Sequence, residues 1–142
     1  MKFSKLIFIL CIWGLCSSIN ACGKLKDNPR FIKLENNSHG IIHVDFQYNY
    51  PDTIILDRAL VDHIDTIGPN KSIKVPTASK NRRWANHIND SNPQNVLMVF
   101  VYSLDTLKKY SWEEIQDDYK VLKRYDLTVN QIKQMDWTVT YP

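Results

Sequence analysis

Apolar and polar residues alternate along much of this chain with a period of two, the signature of half-buried strands. In residues 41–48, Ile42, Val44, Phe46 and Tyr48 share one face, while His43, Asp45 and Gln47 share the other. The same alternation runs through residues 136–141, with Trp137, Val139 and Tyr141 on one side. Residues 31–34 (FIKL) start a strand that runs into the turn cluster Asn36, Asn37, Ser38, His39 and Gly40. Residues 63–67 and 72–75, separated by Gly68, Pro69, Asn70 and Lys71, read as a hairpin. Residues 96–102 (VLMVFVY) are apolar on both faces, as a covered central strand requires. Residues 121–127 read as a further strand. Residues 53–61 fit neither period cleanly: Thr53, Ile54 and Ile55 favour strand, whereas Leu56, Ala59 and Leu60 fit a helical turn. Residues 76–95 are polar and rich in asparagine, and read as a long loop.

Two helix starts are written in capping chemistry. Ser111 caps, Glu114 returns the bond from the third helical position, and Tyr110 staples to Ile115. Thr128, Gln131 and the pair Leu127 and Ile132 repeat that logic. The connection between the last two strands is shorter than the roughly ten to twelve residues a parallel crossover needs. Those strands are therefore antiparallel or in different sheets. The expected fold is mainly β within the α+β class: an antiparallel β-sandwich with short helices in the C-terminal third.

The N-terminus has a different pattern. Lys2 and Lys5 precede an apolar run of eleven residues, 6 to 16. As a helix that run would span roughly 16 Å, against roughly 30 Å for a bilayer core. A positive start and a short apolar run form a secretory signal. At its end, Ile19, Asn20, Ala21, Cys22 and Gly23 resemble a bacterial lipobox. That resemblance implies cleavage between Ala21 and Cys22, with the Cys22 thiol joined to diacylglycerol. Ordinary secretion with cleavage after Ser18 is the rival reading. The division is then a signal peptide over 1–21, the acylated Cys22 and a linker over 22–30, and one domain over 31–142.

The three cysteines, Cys11, Cys16 and Cys22, all lie in or beside the signal. A chain beginning at an acylated Cys22 has no free thiol and no disulfide. It also loses Lys2 and Lys5, so net charge falls from +3 to +1, which points to no nucleic-acid partner. The 44% hydrophobic content excludes wholesale disorder.

The blocks Tyr110 to Ile115, Val121 to Leu127 and Asp136 to Pro142, with the Ala21, Cys22, Gly23, Lys24 junction, resemble small lipoproteins of unknown function from Bacteroidales-type bacteria. The resemblance implies a lipid-anchored envelope protein and brings no activity with it. Gly23, in place of the Asp that retains lipoproteins at the inner membrane in the well-studied sorting system, favours the outer membrane. The periplasmic or surface face stays open.

Candidate chemistry is sparse. His43 with Asp45, and His63 with Asp65, share strand faces at two-residue spacing, and are read as solvated strand faces and not as metal ligands. Glu113, Glu114, Asp117 and Asp118 sit in a first helical turn or just beyond it, where the helix dipole already accounts for acids. No nucleophile motif, phosphate-binding glycine loop or cofactor motif occurs. The one candidate recognition cluster is Arg82, Arg83, Trp84 and His87, whose aromatic and charged groups suit a polysaccharide or an envelope protein. The competing reading places Trp84 in the core as the anchor of its loop. The expected function is a lipid-anchored, non-catalytic binding or structural module, with a small envelope hydrolase as the alternative.

Overall fold

The computed structural model describes residues 28–52, 54–56, 62–77 and 81–142, without the side chains of 62–65. The strands are β1 (Phe31–Asn36), β2 (Ile42–Gln47), β3 (Asp62–Ile67), β4 (Lys71–Pro76), β5 (Val96–Ser103), β6 (Lys123–Thr128) and β7 (Thr138–Tyr141). The helices are α1 (Trp84–Ser91), α2 (Leu104–Lys109), α3 (Trp112–Asp117) and α4 (Val129–Gln134). One sheet has the order β4-β1-β7 and the other β3-β2-β5-β6.

The chain is thus mostly β, with two sheets and short helices. The alternating residues pack between the sheets: Ile32, Leu34 and Val139 from one, and Ile42, Val44, Phe46, Leu97, Val99 and Val101 from the other. β5 is buried along nearly its whole length and lies between β2 and β6, the central position its two apolar faces require. Met98, Phe100 and Tyr102, on its other face, join Ile55, Ile115, Trp112 and Val121 in a second core. That second core lies beneath α2, α3 and residues 54–56, so the four-stranded sheet is covered on both sides.

Several expectations change here. β3 and β4 do not form a hairpin: β3 pairs with β2, and β4 pairs with β1. The Gly68-to-Lys71 segment does turn, with Lys71 N–H donating to Gly68 O at 3.3 Å and Asn70 at φ 53°. The turn carries the chain from one sheet to the other instead of back along the same one. Asn36 fixes this corner. It is 0% exposed, and its amide donates to Gly40 O at 2.7 Å, Ile67 O at 3.0 Å and Gly68 O at 3.1 Å. The sandwich is also not wholly antiparallel, because β1 and β7 pair in parallel. The last two strands, β6 and β7, lie in different sheets, one of the two arrangements the short connection permits. Most of the ambiguous 53–61 stretch lies outside the described residues.

Helices are not confined to the C-terminal third. The 76–95 stretch read as a loop contains α1, whose Trp84, Ala85 and Ile88 turn into the core. Both capping boxes form as their sequences require, at Ser111 with Glu114 and at Thr128 with Gln131. The Ser111 backbone N–H donates to Glu114 Oε2 at 2.7 Å. Hydrogen bonds from that N–H and from the Ser111 hydroxyl hold the Glu114 carboxyl below the usual carboxylate range. A lowered folded-state pKa means the contribution is complete above the ordinary carboxylate pKa and is lost as pH falls through the lowered value. The gap in melting temperature between wild type and Glu114→Ala is therefore expected to be widest near neutrality and to close in acid. A thermal-melt series across pH checks this.

Candidate functional site

The four sequence-selected residues gather at one end of the sandwich, but they do not form an open recognition surface. Trp84 is 1% exposed, stands edge-on to Phe46 at 5.3 Å, and donates its indole N–H to Val75 O at 2.9 Å. It bridges the two sheets and offers no face to a ligand, so the candidate binding role for Trp84 gives way to the core reading. His87 Nε2 meets Tyr48 Oη at 3.1 Å, and the His87 ring packs edge-on to both Tyr48 and Trp84. Arg82 pairs with Asp90 across one face of α1.

Arg83 has a different task. It is the N-cap of α1 and has no capping side chain of its own. Its Nη1 donates to Asn28 O at 2.7 Å. Asn28 Oδ1 accepts the Ala85 N–H at 3.0 Å, and Pro29 O accepts the Trp84 N–H at 3.1 Å. Asn28 Nδ2 donates to Asn86 Oδ1 at 3.0 Å. The first N–H groups of a helix lack intrahelical partners. Here the segment just before β1 supplies those partners, so the expected linker is clasped to the fold from Asn28 onward.

A second polar group was misjudged from the sequence. His43 and Asp45 are not a solvated face: they are 7% and 0% exposed, with Nε2 and Oδ1 at 3.0 Å. Gln47, on the same face of β2, is 1% exposed and accepts the Leu56 N–H at 3.3 Å. Trp112 Nε1 donates to Leu56 O, and Gln116 Nε2 donates to Ile55 O, closing α3 and residues 54–56 over the sheet. Across β5, Tyr102 stands in register with His43, and Phe100 with Asp45. The Arg124 guanidinium lies 5.4 Å from the Phe100 ring centre. Burial disfavours its charge, but hydrogen bonds to Asp126 and Tyr119 outweigh this and raise its pKa. The only sequence signal for this cluster was the polar residues alternating on a strand. The cover that buries them comes from segments far along the chain. The side chains of His63 and Asp65 lie outside the described residues.

A crevice between the sheets, lined by residues that include Leu34, Val44, Val101, Tyr125 and Tyr141, is apolar and has room for no more than about one water molecule. Among the described residues, no group of three or more His, Cys, Asp or Glu is placed to hold a metal ion. Among the same residues, no helix is long and apolar enough to cross a membrane. Comparisons with family models, curated proteins and solved structures return no match.

Proposed function

We propose that this chain is a lipid-anchored cell-envelope module, moored through Cys22 in the outer membrane and acting by binding or as a structural part, without catalysis. The observation that carries the reading is the lipobox-like run Ile19, Asn20, Ala21, Cys22, Gly23 behind a positive start and a short apolar segment. Two acyl chains give stable anchoring, because each buried methylene contributes about 0.8 kcal/mol. The clasp at Asn28 is consistent with this: it lies six residue steps after the proposed lipid attachment at Cys22. The partner in this reading is the membrane, with a polysaccharide or an envelope protein as the further candidate.

Metabolic labelling with palmitate tests the proposal. Wild type is expected to take up label and Cys22→Ala to lose it; equal label in both ends the reading. Protease shaving of whole cells then separates the periplasmic from the surface face. The alternative, a small envelope hydrolase, draws support from the buried His43 and Asp45 pair, since a carboxylate orienting an imidazole supplies two of the three members of a nucleophilic triad. Ester or amide turnover abolished by His43→Gln, with the fold retained, would favour it.

A further inference from the structure

Large apolar side chains stand exposed at the end of the sandwich where the clasped segment enters, Phe31 and Met135 among them. Phe31, the first residue of β1, is 48% exposed and follows the exposed Arg30. Met135, at the C-terminal cap of α4, is 36% exposed and lies two residues beyond the exposed Lys133. Trp137 O accepts the Lys33 N–H at 2.9 Å, which brings the chain after α4 alongside the start of β1. Asn28 and Pro29, bound to the N-terminus of α1, fix the entry point at this same end.

Resting on the mooring at Cys22, we infer that this end of the sandwich sits on the phospholipid headgroup layer, with Phe31 and Met135 dipping into it. Reach permits the placement. Six residue steps separate Cys22 from Asn28, and at about 3.3–3.6 Å each they span at most about 20–22 Å. The headgroup zone on each side of a bilayer is about 5–7 Å deep. With the entry end seated, the six-residue strands hold the exposed Ile41 and Leu122 about 20 Å further out. An aromatic ring and a thioether, flanked by basic side chains whose heads can stay in water, suit a headgroup layer. Among the described residues at this end the charges nearly balance, with Arg30, Arg82, Arg83 and Lys133 against Asp52, Asp90 and Asp136. The contact is therefore apolar more than electrostatic.

The test uses the intact acylated protein in vesicles of phosphatidylethanolamine and phosphatidylglycerol. With the Cys22 sulfur in a thioether, a cysteine introduced by Phe31→Cys, Met135→Cys or Leu122→Cys is the single thiol and takes an environment-sensitive fluorophore. On reconstitution, labels at positions 31 and 135 are expected to shift to the blue and to be quenched by a lipid-borne quencher, at low and high salt alike. The label at position 122 is expected to do neither. Water-like emission at both 31 and 135, equal quenching at 122, or loss of the shift in high salt would overturn the inference alone. Intact mass on the same preparation separates the two claims, since a chain without acyl mass removes the mooring and, with it, the docking.

Discussion

Trp84→Ala is expected to cost about 3–5 kcal/mol, the range for truncating a large aromatic side chain in a packed core. A domain of this size has a total stability of about 5–15 kcal/mol, so the variant should give up a large share of it. The size of the effect follows from what the indole joins. Its ring abuts Phe46 of one sheet, and its N–H is bonded to Val75 O of the other. Its removal also opens the contact with His87, which lies 5.5 Å away between ring centres. Urea denaturation followed by far-ultraviolet circular dichroism measures the loss. Trp84→Phe separates the contributions: it keeps much of the apolar packing and gives up the bond to Val75 O, so its midpoint should fall between the other two. An unchanged midpoint for Trp84→Ala, with loss of retention on a polysaccharide, would restore the recognition role and overturn the core assignment.

Asn36→Ala should produce the second large loss. Leaving a buried polar group without its partner costs about 1–3 kcal/mol. The Asn36 amide serves three carbonyl groups at the corner where β1, β2 and β3 meet, and its oxygen accepts from the Ser38 N–H and hydroxyl. The expected total is about 2–4 kcal/mol on that scale. Asn36→Asp is the informative control. It keeps the shape but turns an acceptor toward carbonyl oxygens, so it should be at least as damaging as alanine. Chemical denaturation of both variants checks this; tolerance of aspartate would show that the corner is held by shape and not by its hydrogen bonds.

What could be read in advance was whatever the local sequence controls. Ser111 with Glu114, and Thr128 with Gln131, each satisfy their own helix within four residues, so both helices were legible. β5 was legible because an apolar strand on both faces has one stable place, inside a covered sheet. The helix over 84–91 was not, because the groups that finish its N-terminus belong to Asn28 and Pro29, more than fifty residues earlier. A window on Arg83 finds no capping residue. Gly68 and Pro69 announced a turn correctly, but turn chemistry does not say which neighbour each strand will take. Asn36, whose amide binds Ile67 O at that corner, sits thirty-one residues before it. His43 and Asp45 were misplaced for the same reason: their strand face looks solvated until Ile55, Leu56 and α3 cover it. Lipid attachment rests on a local run of residues and was readable as a proposal, whereas the site's clasp and its buried polar cluster needed the fold.

The parallel pairing of β1 with β7 has a consequence for assembly. β1 waits between two edge neighbours, and one of them is supplied only when the final strand, Thr138–Tyr141, arrives. The Glu35 and Thr140 side chains that meet there are 105 positions apart. Closing so long a loop must precede the contacts that reward it, which slows the search for the native state. A polypeptide released from its first residue onward would keep its three-stranded sheet incomplete until nearly the whole length had emerged.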